Sequence, residues 1–296
     1  MNNFADRLIH QIQRKKSCII VGLDPRVELI PRSENRRQKT DAQSIAQTLL
    51  RFNKKIIDLV ADEVVGVKPQ SAFYEKYGYR GVKAWWETLA YAKEKGLITI
   101  ADVKRGDVPS TAEAYAEAYL GKSERDVIDA ITVNPFLGGD SLQPFIKLAQ
   151  VNGKGLFVLV KTSNLGSKDF QDKTLAEGQR FYEYLAGCVR AWGRDLIGKR
   201  GYSSVGAVVG ATFPEEAKRL RELMPEQFFL VPGYGAQGGK AADVSVCFKP
   251  DGLGALITAA RSIIHAYQDP TDKNWEEKVI SATRQMNKDV TRKHEK

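Results

Sequence analysis

Eight short apolar runs, each followed by a stretch of helical pattern, constrain this chain more than any other feature. The runs fall at residues 18–23, 64–67, 98–101, 130–133, 156–160, 205–209, 228–231 and 254–257. They are near-continuous in Val, Ile, Leu and Phe rather than alternating, which is how parallel strands covered on both faces read. Between them, residues 42–60, 82–95, 111–120, 141–150, 175–197, 214–223 and 240–248 carry helix-like patterns. An eightfold strand–helix alternation in about 250 residues predicts an α/β fold, a (β/α)8 TIM barrel, with an open doubly wound sheet as the alternative. No low-complexity linker divides the chain, so 1–296 reads as one domain. Residues 26–39 are polar and charged and read as a long surface loop. Residues 268–296 read as an extra C-terminal helical extension outside the barrel repeat, its helix starting near 274 with Thr271 or Asp272 as N-cap.

Several function classes are set aside by what the chain lacks. No apolar run reaches the roughly 18 residues of a membrane span, and the N-terminus lacks the basic-then-apolar layout of a signal peptide. The three cysteines, Cys18, Cys188 and Cys247, are an odd and sparse set without metal-ligand spacing, which fits a reducing cytoplasm. His10, His265 and His294 do not follow apolar runs as strand-end groups would, and each reads as a surface or helix residue. Serine–histidine chemistry and histidine-rich metal sites are therefore not expected, and proton transfer falls to lysines or carboxylates. The net charge of +9 comes from basic residues interleaved with acids. It reads as a solvated surface that favours anionic metabolites rather than as a nucleic-acid stripe. The aromatic clusters Tyr74/Tyr77/Tyr79 and Trp85/Trp86 read as packing and loop residues.

In a TIM barrel the active site lies at the C-terminal ends of the strands. The first predicted strand ends in Gly22-Leu23-Asp24, the second in Val67-Lys68-Pro69, the third in Asp102-Val103-Lys104 with Asp107 soon after. Charged residues at three adjacent strand ends converge on one pocket. Asp102 and Lys104, two apart on a strand, are expected to project together. A set alternating in sign is costly to bury without purpose, and mutual pairing keeps each lysine charged and each carboxylate ionised. Across the barrel, the seventh strand runs into Pro232-Gly233-Tyr234-Gly235-Ala236-Gln237-Gly238-Gly239, and Arg261 opens a helical segment after the eighth. Loops after the seventh and eighth strands are the usual phosphate site of this fold. Backbone N–H groups, a helix N-terminus and Arg261 can serve that role there. Residues 233–239 are a candidate lid. Lys161-Thr162-Ser163-Asn164 after the fifth strand could read a polar ring or simply make a capped turn.

These residues together resemble the orotidine 5′-phosphate decarboxylase family, in particular its longer bacterial subgroup. The specific motif is Asp-x-Lys-x-x-Asp at Asp102, Lys104 and Asp107. It is supported by Asp24, Lys68, Thr162-Ser163-Asn164, the Pro232–Gln237 stretch and Arg261-Ser262-Ile263, and the likeness spans about residues 4–267. The resemblance implies decarboxylation of orotidine 5′-phosphate to UMP without metal or organic cofactor, in a cytoplasmic homodimer with shared active sites. It implies Lys104 as proton donor to carbon 6, Asp102 against the substrate carboxylate, and Asp24 and Lys68 on the ribose hydroxyls. Ser163 would contact the ring, and Gln237 and Arg261 the phosphate, beside Pro232 and Gly233. Asp107 and Thr111 would reach into the partner's site. Pro109, Leu165 and Ala260 depart from the family's usual residues, which leaves loop geometry open there but removes no charged group. A sister enzyme of the superfamily, a magnesium-dependent sugar-phosphate aldolase or decarboxylase, would carry an acid at the second strand end. Lys68 would repel a divalent cation from that position.

Overall fold

The computed structural model describes residues 3–35, 40–122, 126–235, 238–267 and 269–291. Eight strands, β1 (Ile19–Leu23), β2 (Gly66–Pro69), β3 (Ile98–Arg105), β4 (Ala130–Val133), β5 (Gly155–Lys161), β6 (Ser203–Val209), β7 (Gln227–Val231) and β8 (Ala255–Ala259), pair in sequence order. All pairings are parallel, and β8 returns to β1 through Ile19↔Ile257 and Val21↔Ala259, closing the barrel. The eight apolar runs are the eight strands, and the fold is the expected (β/α)8 barrel. The largest difference in extent is β3, which runs past 101 to Arg105.

The helices are α1 (Phe4–Lys15), α2 (Ala42–Val60), α3 (Ala72–Glu75), α4 (Gly78–Glu94), α5 (Pro109–Leu120), α6 (Gly139–Asn152), α7 (Phe181–Trp192), α8 (Pro214–Leu223), α9 (Ala241–Ser245), α10 (Arg261–Ile264) and α11 (Trp275–Thr291). Strand residues pointing outward pack under these helices, in a core that includes Val21, Leu49, Ile56, Leu89 and Val158. Residues pointing inward, such as Ile20, Ile100, Phe157, Phe228 and Leu256, form a second cluster that also takes in Phe4, Leu8, Ile9 and Ile12 of α1. This helix, not anticipated from the sequence, thus packs on the barrel interior ahead of the first strand. Asn3 caps it, its Oδ1 accepting from the Ala5 and Asp6 N–H groups at 2.8 and 3.2 Å. A Cβ on Gly155 would lie 2.2 Å from the Phe4 ring, so glycine there lets the helix seat.

The C-terminal helix is present, as α11, and packs against α2, α9 and α10. It is the extra C-terminal helix that was expected, beyond the short α10 that follows β8, and it fills the outer ring between the helix after β7 and the helix after β1. The reason is that α9 and α10 are too short to cover β8 and β1, and Trp275, Val279, Met286 and Val290 fill the space. Neither Thr271 nor Asp272 caps this helix. Asp272 Oδ1 instead accepts from the Asn274 N–H at 2.8 Å, one residue before the helix starts. The 175–197 pattern gives a true α-helix only as α7. The described part of the 26–39 loop is held down rather than free: Ile30 is buried, and the Arg32 N–H donates to the Pro270 carbonyl at 2.8 Å. Among the described residues no helix is long and apolar enough to cross a membrane.

Candidate active site

The charged strand ends are fixed from behind by buried polar groups. The Tyr74 hydroxyl donates to the Leu23 carbonyl at 2.9 Å, next to Asp24, and is itself met by Asn53 Nδ2 at 2.8 Å. Trp85 Nε1 donates to the Pro69 carbonyl at 3.0 Å, next to Lys68. Two of the aromatics read as packing residues therefore also hold the last carbonyls of β1 and β2 in place. On β3 the register with β4 shifts between Ala101 and Arg105, and Lys104 has φ 45°, left-handed backbone that a side-chain-bearing residue seldom adopts. Asp102 and Lys104 do project together, but through this irregularity rather than through plain strand alternation.

Thr132 of β4 organises it. Its Oγ1 accepts from the Val103 and Lys104 N–H groups at 3.1 and 3.0 Å and donates to Asp102 Oδ1 at 2.9 Å. Sequence reasoning missed this residue, since a threonine inside an apolar run reads only as a strand former.

The Asp102 carboxylate lies between two ammonium groups, Lys68 Nζ on Oδ2 and Lys104 Nζ on Oδ1, each at 2.5 Å. Burial works to raise the Asp102 pKa, but Lys68 and Lys104 outweigh it and hold the carboxyl well below the usual range. Burial likewise pulls on Lys68, yet Asp102 and Asp24 leave its pKa raised, so it stays charged. Asp24 completes the cluster electrostatically. Burial, opposed by Lys68, raises its pKa, and its Oδ1 is buried with no hydrogen-bond partner among the described residues. An acceptor left open in this way can take a ligand hydroxyl. Among the described residues no group of three or more His, Cys, Asp or Glu is placed to hold a metal ion.

A cavity opens beside this cluster. Asp24, Lys68, Pro232, Gly233 and Arg261 line it, joining the β1 and β2 ends to the loops after β7 and β8. Tyr234 of the candidate lid lines it too, as do Arg26, Phe73 and His265, which were not anticipated there. His265, read as a surface or helix residue, is a correction: it follows the last residue of α10 and is buried against Phe52, with ring centroids 5.6 Å apart. Gly233 has φ 105°, which suits only glycine. Arg261 begins α10 as expected. With four residues, however, that helix aligns few peptide dipoles, so anion binding there falls mainly to side chains.

Gln237 and the middle of the candidate lid lie outside the described residues. Ser163 follows β5 against the backbone of Gly210, where a Cβ would come within 2.9 Å of the Ser163 nitrogen. It does not line the cavity. Asp107 does not join the cluster: its Oδ1 accepts from the Val108 N–H at 2.8 Å, and none of its chain's described lysines pairs with it. Thr111 is exposed on the first turn of α5. Two of the three unusual residues fit their places, and Leu165 is exposed. Pro109 starts α5, where its missing N–H costs nothing, and the Ala260 methyl occupies space that glycine at 22 leaves open, 2.7 Å from a Cβ built there.

A closed parallel barrel with a charged cluster and an open cavity at the C-terminal ends of its strands defines a (β/α)8-barrel enzyme. The family model for orotidine 5′-phosphate decarboxylase / HUMPS matches residues 17–274. The orotidine 5′-phosphate decarboxylase of Caldicellulosiruptor saccharolyticus is 42% identical, over 98% of both chains. That of Rhodopirellula baltica is 42% identical over 98% of this chain and 99% of its own. The solved structure of Leishmania donovani OMP decarboxylase superposes with a TM-score of 0.77 at 30% identity, covering 99% of each chain. The chain belongs to the orotidine 5′-phosphate decarboxylase / HUMPS family, and it is a decarboxylase.

Proposed function

We propose that the chain converts orotidine 5′-phosphate to UMP and carbon dioxide in pyrimidine synthesis, with no metal, as a homodimer that shares its active sites. The observation that carries this reading is the Asp102 carboxylate clasped at 2.5 Å by Lys68 on one side and Lys104 on the other. In the reaction the bond between carbon 6 and the substrate carboxylate breaks. Its electron pair stays on carbon 6, and carbon dioxide leaves. The Lys104 ammonium, fixed beside the place where that charge develops, stabilises it and then transfers a proton to carbon 6. The lysine regains its proton from solvent. Asp102, ionised because both lysines hold it so, opposes the substrate carboxylate more than the nearly neutral departing carbon dioxide.

The remaining roles rest on position for Asp24, Lys68, Arg261, Pro232 and Gly233, and on the family resemblance for Gln237, Ser163, Asp107 and Thr111. Asp24 Oδ1, open for a donor, and Lys68 suit the ribose hydroxyls. Arg261, with Gly233, Pro232 and Gln237, grips the phosphate, whose binding energy can act on the distant reacting bond by drawing the 233–239 loop over the pocket. Ser163 contacts the pyrimidine. Asp107 and Thr111 serve the partner's site. Lys68 stands where a metal-dependent sister enzyme would carry an acid, and its positive charge argues for metal-free chemistry.

The test follows the absorbance of orotidine 5′-phosphate. Lys104→Ala should lose on the order of 10³-fold or more in turnover while staying folded, and wild-type activity should survive exhaustive chelation. Near-normal turnover by Lys104→Ala would remove the proton donor. Loss of activity with chelator, restored by magnesium, would remove the metal-free reaction.

A further inference from the structure

Two guanidinium groups line the same cavity, and among the described residues neither has a carboxylate partner. One is Arg261 at the end of β8. The other is Arg26, just beyond Asp24 in the loop after β1. Unpaired like charges facing one cavity repel at rest, and an anion bound between them reverses the sign of that energy.

The loop that carries Arg26 is tied to the segment that follows Arg261. The Tyr267 hydroxyl donates to the Leu29 carbonyl at 2.7 Å and lies 2.9 Å from His265 Nδ1. Its single hydrogen goes to Leu29, so Nδ1 is the donor to the tyrosine oxygen and Nε2 keeps its lone pair. That lone pair faces the Arg26 N–H at 3.5 Å. One buried hydroxyl and one imidazole thus fasten the Arg26 loop to the Arg261 segment at both ends of the turn Val27–Leu29. Burial, together with the charges of Arg26 and Arg261 and against that of Glu28, lowers the His265 pKa to about 4, so at neutral pH it adds no third positive charge.

We infer that Arg26 is a second phosphate-binding residue, which with Arg261 makes this end of the cavity a site for a dianionic phosphate monoester, and that Tyr267 and His265 position it. One guanidinium fork can pair two oxygens of a phosphate; two forks approaching from different sides can engage all three terminal oxygens of a monoester and balance both of its negative charges. The identity of the ligand as a nucleotide rests on the proposed function. The assignment of Arg26 to its phosphate rests on the cavity.

Calorimetric binding of UMP tests it, with wild type, Arg26→Gln, Arg26→Lys and Tyr267→Phe. Gln and Lys keep much of the length of the side chain and differ in charge. Arg26→Gln should weaken UMP binding by roughly 10- to 100-fold, the range of a lost charge-assisted hydrogen bond. Arg26→Lys should recover part of it, and Tyr267→Phe should show a smaller loss in the same direction. UMP binding by Arg26→Gln within twofold of wild type, or equal losses with Gln and Lys, overturns the assignment. Binding is read separately from turnover. UMP binding that depends on Arg26 in a chain that does not decarboxylate orotidine 5′-phosphate would remove the proposed reaction and leave Arg26 in its role.

Discussion

Lys104 holds a backbone conformation it would not choose, and one hydroxyl maintains it. Thr132 Oγ1 satisfies the two N–H groups on either side of the distortion and donates to the carboxylate that Lys104 grips. Thr132→Val keeps the shape and removes all three bonds. It should lower kcat by about 10- to 100-fold, with KM changed far less, because it loosens the proton donor rather than the phosphate end. Thr132→Ser should restore most of the loss, and a valine variant with kcat within twofold of wild type would show the hydroxyl to be dispensable. His265 supports a second expectation. Its folded pKa of about 4 lies below the ordinary histidine value, so between roughly pH 6.5 and 4 the unfolded chain binds a proton that the folded chain refuses. Stability should therefore fall as pH drops through that window, by roughly 3 kcal/mol in all, and the contribution is fully present above it. Asp102 acts in the same sense at lower pH, because its depressed pKa stabilises the fold above the ordinary carboxylate value and fades as pH falls further. Asp24, raised, acts in the opposite sense, so only comparison with His265→Gln isolates the histidine. Melting temperatures at pH 7 and 5 in phosphate-free buffer should differ less in that variant; an unchanged difference would remove His265 as the source.

The strands were legible because a parallel barrel buries both faces of each, and burial of that kind writes itself as an unbroken apolar run. The charged groups Asp24, Lys68, Asp102 and Lys104 were legible for a related reason: a polar residue ending such a run has few places to go other than the rim. What could not be read depends on register and on contacts distant in sequence. The shift on β3, the bridge from Thr132, and the tie between Tyr267 and Leu29 are all set by neighbouring strands and loops. The N-terminal helix is a different case, since its signal was present: Asn3 before Phe4, Leu8, Ile9 and Ile12 at helical spacing is a capped amphipathic pattern. That helix meets the inward-facing cluster with Phe4 edge-on to Phe157, ring centroids 6.1 Å apart. The contact forms at the start of β5, the opposite end of the barrel from the charged cluster. Phe4→Ala should cost about 3–5 kcal/mol in urea unfolding and leave kcat/KM for orotidine 5′-phosphate within about twofold. A cost below about 1 kcal/mol would mean that α1 decorates the barrel rather than completing it.

Asp107 is the one member of the charged motif that does not join the cluster around Asp102, and the surface beside it bears on the shared site proposed above. Val108, Phe136 and Leu137 are 51, 79 and 44% exposed. The turns that carry them touch, since a Cβ on Gly106 would lie 2.5 Å from the Asn134 carbonyl oxygen. Asp107 and Thr111 therefore sit beside an exposed apolar patch at the catalytic end of the barrel, which suits a two-fold interface that brings each aspartate to the other subunit's pocket. On the proposed reading, Lys104→Ala and Asp107→Ala each inactivate a different half of a composite site. Mixed and allowed to exchange in equal amounts, random pairing makes half of the dimers mixed ones. Each of these contains one site with both residues intact and one with neither. Two nearly inactive proteins should then recover about a quarter of wild-type activity, rising with time as subunits exchange. Size-exclusion chromatography should show a dimer throughout. If Asp107 served its own subunit, no pairing could unite the two intact residues and mixing would recover nothing, so a dimer that fails to complement would sink the shared site while sparing the dimer.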